Sequence, residues 1–184
     1  MADEFIDILD KNGKLTEEVR LKSEAHRLGL FHASVHIWFY TSSKKILLQK
    51  RADHKDTFPS LWDVSVAGHV SAGESRENSA LREVKEEIGL SIEKKDLEFV
   101  GVYLAEKQPR SNLFDNEFHY IYVSKLSVPI ETLRLQEEEV SNIKLISPKF
   151  LMNDLKDPEI RKKYVPHDMA YYELILKEIT NRFI

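Results

Sequence analysis

Three glutamates, Glu83, Glu86 and Glu87, stand at i, i+3 and i+4 within the segment running from Gly68 to Leu90. On a helix that spacing sets three carboxylates on one arc. Like charges so placed repel by roughly 0.2–0.5 kcal/mol per pair, which flanking cations or a bound metal must offset. Arg82 and Lys85 supply part of the offset. Clustered hard oxygen ligands suit Mg²⁺ or Mn²⁺, which bind through a few carboxylates while substrate phosphate and water complete the shell. The chemistry implied is metal-assisted attack on a phosphate compound. Gly68 and Gly73 let the backbone approach such a site closely, and the carbonyl of Gly68 is a further candidate oxygen ligand.

These carboxylates need a helix with fixed ends and a buried stripe. Ser75, with Asn78 nearby, can start it and Gly89 can end it, while Ala80, Leu81, Val84 and Ile88 form its core face, so a helix is predicted over 75–88. Strands are predicted over 32–41, 45–51, 97–106, 117–126 and 140–146, from their β-branched and aromatic content and partial alternation. An N-terminal hairpin is expected at Asn12-Gly13, a partly helical stretch over 16–28, a short helix from Ser147-Pro148 and a last helix over 168–183. Strands and helices mixed in this order predict an α/β or α+β layered domain. No repeat or linker divides residues 1–184, so one domain is expected.

Composition narrows the function. Twenty-seven Lys and Arg against 31 Asp and Glu give a net charge of −4, which supplies no bulk attraction to nucleic acid. The absence of cysteine excludes disulfides, thiolate metal sites and cysteine nucleophiles. No stretch approaches the roughly 20 apolar residues of a membrane span, so a soluble cytoplasmic protein is expected.

The full segment reads Gly68, five residues, Glu74, seven residues, Arg82-Glu83-Val84-Lys85-Glu86-Glu87-Ile88-Gly89-Leu90, and it resembles the Nudix box at every fixed position. The resemblance implies an α/β/α sandwich around a mixed sheet, and divalent-metal-dependent hydrolysis of a diphosphate linked to another group. It further implies that Glu83 and Glu87 ligate the metal, that Glu86 is a ligand or water activator, and that Arg82 orients the carboxylates together with Glu74. The general base is open among Glu86, Glu117 and the Glu137-Glu138-Glu139 run.

Outside the box, Ala25-His26, Phe31-His32, the segment Leu47 to Arg51, the segment Lys55 to Trp62, Ala67-Gly68-His69 and Asn116-Glu117 are similar to the isopentenyl diphosphate isomerase branch of the family. That similarity implies a metal at His26, His32 and His69, another metal-site glutamate at Glu117, and a diphosphate held by Arg51 and Lys55. Trp62 is a candidate to cap a substrate, while His36, Trp38, Tyr164 and the Tyr171-Tyr172 pair read as packing residues. The isomerases use a cysteine immediately before the Gly-His pair, where this chain has Ala67, which carries no transferable proton. A hydrolase of a small diphosphate is therefore expected on an isomerase-like scaffold. A nucleoside diphosphate derivative is the first candidate, isoprenyl and thiamin diphosphates are alternatives, and a homodimer is one option for assembly. The competing expectations are isomerase activity and a non-catalytic nucleotide-binding module.

Overall fold

The computed structural model describes residues 3–183. Strands β1 (Phe5–Leu9) and β2 (Leu15–Leu21) form the hairpin expected at Asn12-Gly13. Asp10 accepts from the amides of Asn12 and Lys14 at 2.8 and 3.0 Å, and Gly13 takes a φ of 78° that favours glycine. The stretch expected to be partly helical over 16–28 is helical in α1 (Lys22–Leu28), and its first part is β2. Leu15–Leu21 has fair helix propensity, but pairing with β1 from Phe5↔Leu21 to Leu9↔Leu15 uses the inner edge of this end strand, and tertiary pairing overrides propensity.

β3 (Phe31–Tyr40) is central. It pairs antiparallel with β1 and β6 (Val66–His69), parallel with β8 (Leu113–Lys125), and with β4 (Ile46–Arg51) only at Tyr40↔Ile46. β4 in turn carries β5 (Trp62–Asp63) and β9 (Val140–Ile146), while β7 (Glu98–Arg110) lies on β8. β7 and β8 exceed their predicted lengths because they run on as a long hairpin turned at Ser111-Asn112. The two-residue β5 and four-residue β6 were not predicted, being too short to carry a pattern.

Alternation along β3 sorts the two faces. Val35, Ile37 and Phe39 pack with Ala80, Val84 and Ile88 of α2 (Arg76–Ile88) in one core. Trp38 faces the other way, into a core shared with α3 (Pro148–Lys156) and α5 (Met169–Asn181), with the short α4 (Pro158–Arg161) beside them. Each fully buried aliphatic side chain contributes roughly 1.5–3 kcal/mol to holding these layers. The architecture is an α/β/α sandwich around a mixed sheet. Among the described residues no helix is long and apolar enough to cross a membrane.

Candidate active site and metal centre

The Ser75 hydroxyl caps α2 by accepting from the Asn78 amide at 3.3 Å, and Gly89 closes the helix at φ 67°. Because Ala80, Val84 and Ile88 face the core, the adjoining arc presses Glu83 and Glu87 against the sheet. Both are buried, whereas the Glu86 side chain is 51% exposed. Arg82 is the hub of the helix, donating to Glu74 at 3.1 Å, Glu83 at 2.6 Å, Glu86 at 3.1 Å and the His69 carbonyl at 3.1 Å. Burial works against its charge, but Glu83 and Glu74 outweigh that and raise its pKa. Ser79 fixes Glu74 with a 2.6 Å hydrogen bond.

Gly68 is where β6 passes the helix, and a Cβ there would collide with the Glu83 carboxylate. Glu87 spans the gap between β4 and β6, accepting from the Gln49 side-chain amide at 2.9 Å and the Ala67 backbone N–H at 3.3 Å. Burial lifts Glu83 to about 7 despite Arg82. Burial, with the Glu83 charge beside it, lifts Glu87 well above the ordinary carboxylate range. Adjacent buried carboxyls raised in this way are stabilised by a cation.

Of the three-glutamate run, Glu139 is buried while Glu137 and Glu138 are exposed. The Arg134 and Gln136 amides donate to the carbonyls of Ile88 and Glu87, each at 3.0 Å, and so dock this loop at the C-terminal end of α2. Glu139 pairs with Lys55, leaving its buried Oε1 without a hydrogen-bond partner among the described residues. Arg51 donates to Asp63 and to the carbonyl and hydroxyl of Thr57, all at 3.1 Å, clasping the loop between β4 and β5. The Lys144 ammonium lies 4.1 Å from the Trp62 ring centroid, and Trp62 packs on the core of α3 and α5.

A second donor set gathers around His69, whose carbonyl Arg82 holds. His26 of α1, His32 of β3, His69 of β6 and Glu117 of β8 each bring a ligand atom to within 4.8 Å of the others. The Nε2 atoms of His26 and His69 are 3.1 Å apart, and those of His69 and His32 lie 3.4 and 3.6 Å from one Glu117 oxygen. His32 Nδ1 donates to the Leu30 carbonyl at 2.9 Å, and its fully buried Nε2 makes no hydrogen bond among the described residues. Burial, with the neighbouring imidazoles, pushes His26 to about 3, and burial pushes His69 to about 4, keeping both in the neutral form that ligates metals. Three imidazoles and a carboxylate fit a first-row transition ion. Glu117 therefore stands with the histidines. Glu83, Glu86 and Glu87 do not converge as tightly, because Arg82 draws the first two and Gln49 holds the third.

Behind the histidines runs a buried polar tract. His36 stacks on His119 at 3.9 Å and shares the Tyr171 hydroxyl with Trp38, at 2.6 and 3.0 Å, so these residues pack as expected. His167, absent from the sequence reading, meets Asp63 at 3.0 Å and Lys107 at 3.1 Å. Burial pushes His36 well below its usual value, with His119 adding to the shift, and burial together with Lys107 pushes His167 to about 4. In an unfolded chain both would titrate near 6.5, so between about pH 6.5 and 4 the unfolded state binds protons that the native state refuses. Each histidine is expected to cost the native state about 1.4 kcal/mol per pH unit on acidification through that window, while Glu83 and Glu87, whose raised carboxyls hold protons in the native state, offset part of it. Urea midpoints at about pH 7.5, 6 and 5 isolate the His167 share when wild type is compared with His167→Gln, whose midpoints should lose less on acidification; identical pH series would contradict the assignment.

The mixed sheet between helical layers, with Gly68–Leu90 folded as strand, loop and carboxylate-bearing helix, is a Nudix fold. Residues 30–168 match the NUDIX domain, and the chain belongs to the Nudix hydrolase family, whose members are generally metal-dependent pyrophosphohydrolases. It is 39% identical to Nudix hydrolase 3 of Arabidopsis thaliana, over 92% of this chain but 22% of that protein. It is 31% identical to an uncharacterized Nudix hydrolase of Clostridium acetobutylicum over the full length of both. Isopentenyl-diphosphate isomerases are also similar to it. A crystal structure from Deinococcus radiodurans superposes with a TM-score of 0.69 at 21% identity, covering 96% of this chain and 99% of that one.

Proposed function

We propose that this chain is a Mg²⁺- or Mn²⁺-dependent pyrophosphohydrolase of a small organic diphosphate, with nucleoside diphosphate derivatives the first class to try. One observation carries the reading. Glu83 and Glu87 are buried side by side with raised pKa values, beside the unpartnered Glu139 oxygen, in a place that a cation would stabilise. Glu83, Glu87 and Glu139 are the ligands, and Glu86 is the solvent-side carboxylate. The backbone ligand is assigned to Ala67 rather than Gly68. On β6 the Ala67 amide and His69 carbonyl point toward α2 while the Val70 amide pairs with Ala33, so alternation aims the Ala67 carbonyl at the acids and the Gly68 carbonyl into the β3 ladder. Gly68 supplies space.

A bound ion would neutralise the diphosphate and lower the pKa of an attacking water. Arg82 and Glu74 hold the carboxylates in place, and Glu86, the carboxylate on the solvent side, accepts the proton. Burial and the free oxygen favour Glu139 over Glu137 and Glu138 as the third ligand. Lys55 is positioned to move from Glu139 to a phosphate, while Arg51 primarily fixes the loop that carries Lys55. The histidines with Glu117 hold a separate transition ion. The whole of residues 1–184 acts as one soluble unit.

The isomerase reading requires a transferable proton at position 67, and alanine has none. The deciding measurement is release of phosphate-containing products from nucleotide sugars, ADP-ribose, dinucleotides, nucleoside di- and triphosphates, coenzyme A, thiamin diphosphate and isopentenyl diphosphate, with Mg²⁺, Mn²⁺ or chelator. Metal-dependent cleavage of one class supports the proposal, and alkene migration in isopentenyl diphosphate without phosphate release refutes it.

A further inference from the structure

Arg51 and Lys55, the cations that the sequence nominates for a diphosphate, both spend their charge on carboxylates. Arg51 pairs with Asp63 at 3.1 Å, and Lys55 pairs with Glu139. Lys107 of β7 differs. Its ammonium meets a ring nitrogen, His167 Nδ1, at 3.1 Å, and it makes no ion pair with a carboxylate among the described residues. A lysine ammonium only donates, so Nδ1 accepts and the proton of His167 sits on Nε2, where it is donated to Asp63 at 3.0 Å. The other Asp63 oxygen takes Arg51.

Lys107, His167, Asp63 and Arg51 therefore form one hydrogen-bonded row, in which two cations share a single carboxylate through a neutral imidazole. The row carries one positive charge in excess. Asp63 and His167 are each 5% exposed, so this charge is held where solvent screens it poorly. Phe58 covers one flank of the ammonium, with its ring centroid 5.7 Å from Nζ, and two of the three N–H bonds remain for other acceptors. Asp63, Asp115, Glu117 and Asp168 all attract it, and none of them forms an ion pair with it among the described residues.

We infer that Lys107 is a phosphate-binding residue on the flank of the carboxylate site, and that His167, anchored on Asp63, is the positioning residue that aims it. The row is joined to that site through Arg51, the Thr57 loop and the Lys55–Glu139 pair. The ligand class is a diphosphate oxygen, so the inference rests on the hydrolase reading above. His167 works through its two nitrogens, one gripping Asp63 and the other Lys107. Glutamine can imitate that donor and acceptor pair, whereas phenylalanine cannot.

The experiment titrates methylenediphosphonate, a non-hydrolysable probe, into the full chain with Mg²⁺ by calorimetry. Charge-assisted hydrogen bonds of this kind translate into a roughly 10- to 100-fold weaker Kd for Lys107→Met. His167→Phe is expected to weaken binding in the same direction, His167→Gln to restore most of it, and the Lys107→Met/His167→Phe double variant to lose no more than Lys107→Met alone. Nitrogen-15 spectra supply a readout independent of turnover. His167 should show a bare Nδ1 and a protonated Nε2, and the Nδ1 signal should move on adding the probe to wild type but not to Lys107→Met. Should Lys107→Met fail to fold, Lys107→Gln carries the same test. Wild-type affinity in a folded Lys107 variant overturns the inference while leaving the hydrolase reading intact. A wild-type chain that neither binds the probe nor cleaves any diphosphate overturns both.

Discussion

Glu87→Gln is expected to lower turnover at least about 100-fold and to weaken Mg²⁺ binding by a similar factor, while leaving the melting temperature unchanged or slightly raised. Residues that merely orient metal ligands typically cost 10- to 100-fold when replaced, so a buried ligand sets that as its lower bound. The opposite sign for stability follows from the same burial. Glu87 has a carboxyl lifted well above its usual range by desolvation and by Glu83, so the protein without metal already disfavours its charge. An amide of the same shape keeps an oxygen for Gln49 and Ala67, now 2.9 and 3.3 Å away, and removes the repulsion toward Glu83. Product release from whichever diphosphate wild type cleaves, Mg²⁺ titration and a thermal melt measure the three effects. Unaltered turnover would reject Glu87 as a ligand, and a collapsed melt would show that its role is structural.

The carboxylate helix was legible in the sequence because all its determinants are local. Ser75, Gly89 and the apolar stripe lie within fifteen residues of one another, and each acts through helix geometry alone. The order of elements implied only a layered α/β or α+β domain, and the α/β/α sandwich came from the resemblance of the Gly68–Leu90 segment. The hairpin at Asn12-Gly13 implied a strand after it, but the extent of β2 was not legible, because Leu15–Leu21 becomes a strand through its partner and not through its own propensity. Among the site residues, Gln49 stands in a segment already singled out, and Glu139 was one of three equivalent glutamates until burial separated them. The histidine centre assembles residues from α1, β3, β6 and β8, so resemblance could nominate its members but spacing could not. Asp63, Lys107 and His167 meet across 44 and 60 residues of chain, and nothing local to any of them marks the meeting.

Gly68→Ala separates the site from the fold more sharply than any change to a charged residue. The added Cβ would fall on the Glu83 carboxyl group, and its neighbours there are the terminal carbon and both oxygens. Those atoms end a flexible side chain, so Glu83 can swing away at small cost, and the backbone at Gly68 has no positive φ that would strain an alanine. β6 and α2 should therefore keep their places, and the melting temperature should shift by only a few degrees. The carboxylate cannot keep its place. Displacing Glu83 breaks its 2.6 Å contact with Arg82, which also holds Glu74, Glu86 and the His69 carbonyl, so one methyl group disturbs three acidic positions together. Turnover is expected to drop about 100-fold, with weaker Mg²⁺ binding, on the scale reached when ligand-orienting partners are lost. Second-site restoration sharpens the test. Gly68→Ala combined with Glu83→Gln should be no worse than Glu83→Gln alone, since the methyl group acts only through that carboxylate. Additive losses would place the effect of Gly68 in the strand backbone instead.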